Sequence, residues 1–540
     1  MKRGLHHPPF ASGDLSIGAS AARDTMTVAV WTMISRLTGL ARVIVIGAVL
    51  GPTYFGNSYQ LTNVLPNLVF YGFLAGSLLS SLLVPALVRH IDAGDGDETG
   101  RVAGGFLGVQ WSILVVAAPV AILAVPLFLP NGESALVLAV LAIPQVFCYA
   151  VVASATAVMY ARRRYLLAAA APALENLGVI AVLLLASYLY ANPAGGSVPT
   201  AAVLLIGGGS TLAVVMHAGV QWWGARRCGV TLVPRAGWRD PDVRQVARRA
   251  ACSMAQAGLL AAQTLLLLAM AGQVAGGTVA LQMSLSFYHL PLAIAAAPVG
   301  LALLPRLSRM TGEGEASDFA DAYQRAVGLA LFLVVPAALG YLVLAVPLAN
   351  VVAVGQMSSA VGVAMVAGSL SSLALGLVGE TLFVISTQAA YAQGDAGTPL
   401  RSMMLQGVVC AALVVPAGFV GGGALVTVLG GAFAAASVVG GVHLTWRVRR
   451  KLAPATHRLW PSVVRTVSAS IAMAAVAWSV AAVAMASLEG TSGWLIASAA
   501  GTLAGVAVYL AIHRSFGSVE LTWMLDGARG GRTIPESSPA

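Results

Sequence analysis

Apolar residues in this chain neither alternate nor recur at every third or fourth position. They come in unbroken runs of about 20 or more, the length a helix needs to cross a hydrocarbon core. Charge, Gly/Pro or Asn ends each run. Fourteen such runs fall near 26–51, 59–88, 104–129, 134–160, 165–190, 200–224, 247–272, 278–304, 324–347, 359–391, 399–420, 424–446, 464–487 and 491–512. The pattern predicts an all-α polytopic membrane protein of about 14 transmembrane helices, and the short polar breaks leave no room for a large soluble domain.

The cations follow the runs. Of 30 Lys and Arg residues, 28 lie in the terminal segments or in and beside the breaks after even-numbered spans, chiefly Arg162 to Arg164, Arg226 to Arg249, Arg306 to Arg325 and Arg447 to Arg465. The odd breaks, such as "GPTYFGNSYQ" and "ANPAGGSVPT", carry none. By the positive-inside rule both termini are expected in the cytoplasm. The longest basic connection, about 225–246, holds Trp238 and Pro241 and suits an interfacial stretch.

A repeat underlies the series. "LLVPALVRH" (82–90) and "ALLPRLSRM" (302–310) share Pro-x-Leu-x-Arg, as Pro85, Leu87, Arg89 and Pro305, Leu307, Arg309. "MYARRR" (159–164) and "AYAQGD" (390–395) end the fourth and tenth spans. Equal spacing by six spans implies two parallel lobes with a site between them near the midplane. The expected organisation is a tail (1–25), a six-helix lobe (26–225), a basic linker (226–246), a second six-helix lobe (247–447), a linker (448–463), two extra helices (464–513) and a tail (514–540).

Composition narrows the chemistry. With 58% hydrophobic and 9% charged residues, the net charge of +10 belongs to topology and not to a nucleic-acid surface. The N-terminal stretch reads as lacking a removable signal peptide. Cys148, Cys228, Cys252 and Cys410 show no C-x-x-C spacing, against zinc, iron–sulfur or dithiol chemistry. No Walker A loop, Ser/His/Asp set or H-E-x-x-H appears, so transport is expected rather than catalysis, with no cofactor. Asp95-x-Asp97 resembles a divalent-metal motif, but reads better as a solvated turn.

The two cations outside the pattern are Arg36 and Arg42, in the first span. An arginine at a helix centre costs roughly 2.5–3.5 kcal/mol on insertion scales, so it faces protein or water. Six residues turn a helix through about 240°, which leaves the two side chains on one broad face. Two readings stand. The guanidinium fork matches phosphate oxygens, or the arginines pair internally with Glu175 or Glu380, the acidic residues deep in spans. Those carboxylates in turn are read as cation-coupling groups or internal partners. His217 and His289 are open between titrating groups and hydrogen-bonded core residues. Prolines within spans (Pro66, Pro85, Pro144, Pro172, Pro291, Pro298, Pro336, Pro416) free carbonyls and bend helices.

"SRLTGLARVIVIGAVLG" (35–51), "LPNLVFYGFLAGSLLSSLLVPAL" (65–87), "APALEN" (171–176), "LPLAIAAAPVGLALLPRLSR" (290–309) and "AAYAQGDAGTP" (389–399) resemble, in order and spacing, the MurJ/MviN family of lipid II flippases, within the multidrug/oligosaccharidyl-lipid/polysaccharide flippase superfamily. The resemblance spans about 30–450. It implies a fourteen-helix flippase of the bacterial cytoplasmic membrane that moves the undecaprenyl-pyrophosphate-linked peptidoglycan precursor outward by alternating access. The extra two helices would form a groove for the lipid tail. The implied partners are a lipid-linked anion, membrane lipids and cell-envelope synthesis enzymes. The family's paired first-helix arginines fall on Arg36 and Arg42. Asn63, Asn67, Ser286 and His289 fall at or beside cavity positions that often carry basic residues in the family, which makes them candidate substrate contacts. Two alternatives remain: a cation-coupled exporter of a drug, metabolite or other lipid-linked glycan, dependent on Glu175 or Glu380, and a non-transporting envelope scaffold.

Overall fold

Where no water can satisfy the backbone, a single span must close its hydrogen bonds on itself, and a helix is the way to do so. The computed structural model describes residues 13–69, 83–92, 96–128, 132–190, 198–296, 299, 307, 316–455 and 459–528. The first half contains α1 (Gly13–Leu50), α2 (Tyr54–Val69), α3 (Val84–Asp92), α4 (Gly96–Phe128), α5 (Gly132–Ala161), α6 (Tyr165–Leu189) and α7 (Thr200–Arg227). The second contains α8 (Pro241–Ala271), α9 (Gly277–Pro291), α10 (Ala316–Val352), α11 (Ala360–Ala374), α12 (Leu377–Ala392), α13 (Gly397–Ala417) and α14 (Ala424–Arg449). Then follow α15 (Leu459–Ser487), α16 (Gly490–Ser515) and the short α17 (Val519–Ala528).

Twelve described helices are long and apolar enough to cross a membrane, thirteen if one bent pair counts as a single span. That pair is α11 and α12, expected as one run over 359–391 and bent by 46° at Leu375–Gly376, where a Cβ on Gly376 would lie 2.8 Å from the Ala434 backbone. The run over 59–88 is present at both ends, as α2 and α3. Residues 70–82, Asp95, Pro298, Pro305, Arg306 and Arg309 lie outside the described residues. Large apolar side chains face outward on many helices, among them Val116, Val408, Val415 and Leu503. Such a belt suits lipid contact.

The prolines act as their chemistry requires. Each removes the amide that would bond the carbonyl four residues earlier. Three of those carbonyls are taken by side chains of other helices: Gln221 Nε2 donates to Ala168 O at 3.3 Å (Pro172), the Tyr341 hydroxyl to Phe287 O at 3.1 Å (Pro291), and the Tyr509 hydroxyl to Phe332 O at 2.6 Å (Pro336).

The repeat is visible in backbone geometry. After α5, Arg163 turns left-handed (φ 55°) and Arg164 N donates to Met159 O at 2.8 Å. After α12, Gly394 turns left-handed (φ 74°) and Asp395 N donates to Ala390 O at 2.9 Å. Both are the 6→1 bond of a Schellman cap, at matching places in "MYARRR" and "AYAQGD".

Within the first half α1 packs on α6, α5 on α7, and α2 on α5; within the second α14 receives α11, α12 and α13. Helices α15 and α16 pack on each other and on α10. The halves meet where α1 and α2 face α8, α9 and the turn Gly355–Ser358. This contact lies at the end opposite the arginine-rich connections. Gly276 (φ 76°) sits with its Cβ position 2.2 Å from Pro52, and Gly355 (φ 60°) with its Cβ position 2.5 Å from Ala48 O, so neither site has room for a side chain.

Candidate functional site

The geometry follows from α1. Counting 100° per residue, Arg36, Leu40, Val43 and Gly47 form one stripe. At its far end Gly47 lies against the second half, its Cβ position 3.1 Å from Met283 Sδ and 3.6 Å from Met357, and Val43 is buried. About three turns toward the basic end, Arg36 is exposed, and so is His289, six residues beyond Met283 on α9. Arg36 lies within electrostatic range of His289 and has no hydrogen-bond or ion-pair partner among the described residues. The His289 ring bonds back to Leu285 O through Nδ1 at 2.6 Å, and Ser286 Oγ donates to Gln282 O at 2.9 Å.

Arg42 has different surroundings. It points from α1 toward α6, where its Nη1 donates to Glu175 Oε1 at 3.2 Å. The same oxygen accepts the Tyr149 hydroxyl at 2.8 Å, and Oε2 meets His217 Nδ1 at 2.7 Å. Glu175 and His217 are buried. Asn176 completes the α1–α6 contact by donating to Ser35 O and Thr38 Oγ1, both at 3.2 Å. Glu175 is thus an internal partner of Arg42, and its carboxylate has a donor on each oxygen. Arg36 and Arg42 diverge from one helix: one is exposed with no partner among the described residues, the other is held inside the first half.

Glu380 is buried on α12, within reach of Ser437 and Gln406, and touches neither arginine. Its Oε2 has no partner among the described residues, nor do Gln406 Oε1 and the Tyr288 hydroxyl nearby. On α2, Asn63 Nδ2 and Asn67 Oδ1 are also buried without partners among the described residues, one turn apart on one face.

Several participants escape a search for charge alone. Tyr149, Gln221 and Tyr59, whose hydroxyl meets Ser210 Oγ at 2.8 Å, are neutral residues in apolar runs. A signal did exist: Ser210, His217 and Gln221 recur at spacings of seven and four along α7, a polar stripe on an otherwise apolar helix. His217 belongs to that stripe.

A second concavity lies between α10, α15 and α16, with a volume of about 460 Å³. Leu333, Gly340, Leu344, Met473, Val506 and Tyr509 line it, and Met524 of α17 contributes at its margin. Its walls are almost wholly apolar.

A family model described as "Lipid II flippase MurJ" matches residues 46–497. Among curated relatives, a probable lipid II flippase MurJ of Rhizobium tropici is 26% identical over 71% of this chain and 73% of its own length. The lipid II flippase MurJ of Burkholderia cenocepacia is also 26% identical, over 70% and 75%. Among solved structures, a lipid II flippase MurJ in an inward closed conformation superposes with a TM-score of 0.71 at 15% identity, covering 91% of this chain and 98% of that one. An inward-facing multidrug transporter of the MATE family gives 0.62 at 16% identity, over 79% and 98%. These two share the fold. With a family model matched over most of its length, this chain belongs to the MurJ family of lipid II flippases.

Proposed function

We propose that the chain moves lipid II, a polyprenyl-pyrophosphate-linked glycopeptide, across the cytoplasmic membrane, with the basic connections and both termini in the cytoplasm. One observation carries the assignment of the site. Arg36 stands exposed within electrostatic range of His289, on the stripe of α1 whose far end packs against the second half. A guanidinium with no partner among the described residues is matched by pyrophosphate oxygens. The ligand's charge removes the reason an arginine is costly at that depth.

The remaining parts have roles consistent with that site. The apolar concavity along α10, α15 and α16 takes prenyl chain, which prefers walls without polar atoms. The lobes rock about the contact of α1 and α2 with α8 and α9. Opening that contact while the basic end closes would present the headgroup to the outer leaflet.

The test is complementation. The chain should restore growth and wall synthesis to a bacterium depleted of its own lipid II flippase, and Arg36→Ala, made at equal abundance, should fail to do so. Rescue by Arg36→Ala would favour the scaffold reading, and no rescue by the wild-type chain would reject lipid II as cargo.

A further inference from the structure

The cluster around Glu175 contains more titratable groups than holding an arginine requires. Glu175 on α6 meets Arg42 of α1 at 3.2 Å, Tyr149 of α5 at 2.8 Å and His217 of α7 at 2.7 Å. Tyr59 of α2 faces the same region and is tied to α7 through Ser210. With a neutral imidazole, one carboxylate balances one guanidinium.

The orientation of Gln221 fits one tautomer of His217. Its Nε2 lies 3.5 Å from His217 Nε2 and donates to Ala168 O at 3.3 Å, while its Oε1 accepts from Thr156 Oγ1 at 3.4 Å. An amide nitrogen donates and does not accept, so His217 Nε2 is the accepting nitrogen and Nδ1–H is the donor to Glu175. A proton added at Nε2 would set two donors against each other. Rotating the Gln221 amide relieves that conflict by bringing Oε1 to the ring. The rotation also removes the donor from Ala168 O, the carbonyl that Pro172 has already deprived of its helical partner, and reverses the link to Thr156, whose hydroxyl then accepts from Nε2. The contact between α6 and α7 therefore differs between the two protonation states.

The charge balance shifts with it. An imidazolium gives Glu175 a second cation, which weakens the hold of the carboxylate on Arg42. Only about 15% of the Arg42 side chain is exposed, so a change of partner decides whether it can reach a ligand.

We propose that His217 is a proton-binding site of the transport cycle: uptake of a proton from water at Nε2 turns the Gln221 amide, passes Glu175 from Arg42 to the imidazolium, and frees Arg42 for the phosphate oxygens of an anionic lipid. The final step rests on the pyrophosphate reading of the Arg36 site; the proton site does not.

Two measurements on the full-length protein in lipid nanodiscs separate these claims. The first is an infrared difference spectrum between about pH 8 and about pH 5.5, without ligand. An imidazolium band in the wild type that disappears in His217→Gln supports the proton site; identical spectra overturn it. The second is the affinity for farnesyl pyrophosphate at the same two pH values. The wild type should bind about tenfold tighter at the lower pH, as one unit of proton linkage gives. His217→Gln should stay at the weak level throughout, and Glu175→Gln, which leaves Arg42 without its carboxylate, at the tight level. A His217→Gln chain with wild-type pH dependence overturns the proposal. A titrating His217 in a chain that binds the probe at neither pH upholds the proton site and rejects the pyrophosphate reading.

Discussion

Asn57 reaches from the first half of the chain into the second, where its Oδ1 accepts the backbone amide of Thr278 at 3.0 Å. Its Nδ2 donates to Gly272 O at 3.2 Å and Val274 O at 2.7 Å, and the residue is fully buried. One side chain thus closes three backbone groups of the turn between α8 and α9. Replacement by Ala leaves those groups without partners in the closed state, at a cost of about 1–3 kcal/mol for a buried group left unsatisfied. Asn57→Ala should therefore populate the state in which this end is open. A cysteine placed at the buried Met283, in a chain whose native cysteines are replaced, should react faster with an impermeant maleimide when Asn57 is Ala. Equal rates would mean that the asparagine does not hold the seal.

Arg36 and Arg42, alike in sequence, should respond differently to loss of charge. Arg36 has no protein partner among the described residues, so Arg36→Ala should leave thermal stability nearly unchanged and weaken binding of a pyrophosphate lipid. Arg42→Ala leaves Glu175 buried without its guanidinium, and removing one member of a buried pair typically costs about 3–5 kcal/mol. The double variant Arg42→Ala/Glu175→Gln should recover much of the lost stability. Thermal denaturation of the four proteins in one detergent checks the cycle, and purely additive effects would argue against the pairing at 3.2 Å.

The matching caps after α5 and α12 make a prediction about strain. Arg163 holds a left-handed conformation at the position where the second half has Gly394. Non-glycine residues take that conformation at a cost of about 1 kcal/mol. Arg163→Gly should thus raise the midpoint of thermal unfolding slightly, whereas Gly394→Arg should lower it. If Arg163→Gly proved destabilising, the side chain would be contributing more than the backbone strain removes.

Much of this architecture was legible in the sequence because hydropathy and charge are one-dimensional signals. Helix α6 (Tyr165–Leu189) and helix α14 (Ala424–Arg449) begin within a residue of the apolar runs that announced them. The repeat of "MYARRR" and "AYAQGD" extends to the same hydrogen bond in each half. The bend at Leu375–Gly376 was not legible, since it depends on how closely α14 approaches. Nor was the divergence of Arg36 and Arg42: helical spacing fixes the angle between them, while only packing against α6 decides which of them meets a carboxylate. His217 and Glu175 could each be named from the sequence, but no pattern ties a residue of α7 to one of α6 at 2.7 Å.

Outside the membrane-spanning segments, Asp395 provides a pH-dependent contribution. Partial burial raises the pKa of its carboxyl, but Lys451 and the hydroxyl and amide of Thr398 outweigh that and hold it well below the usual carboxylate range. A depressed folded-state pKa means stability that is present above the unfolded value, near 4, and lost as the pH falls through the folded value. Asp395→Asn should therefore lower the unfolding midpoint at neutral pH by an amount equivalent to about 1 kcal/mol, the scale of a lost helix-start contact. The difference should shrink in acid. A gap that stayed constant down to about pH 2, below the unfolded carboxyl range, would show that ionisation of this group is not involved.

Glu175 and Glu380 are both carboxylates buried in spans, yet the same substitution should act on them in opposite directions. Glu175 has a donor on each oxygen and a guanidinium beside it, so Glu175→Gln removes a satisfied charge and leaves Arg42 uncompensated. Its thermal stability should fall. Glu380 has an oxygen without a partner among the described residues, with Gln406 Oε1 and the Tyr288 hydroxyl similarly unpaired nearby. An ionised group in that setting pays desolvation with little return. A glutamine at 380 is nearly the same size, carries no charge, and brings an amide donor toward two atoms that lack one. Glu380→Gln should match or exceed the wild type in thermal stability, measured in sodium-free buffer so that no bound cation stabilises the carboxylate. A clear loss of stability there would mean that the Glu380 carboxylate is already compensated in the folded protein.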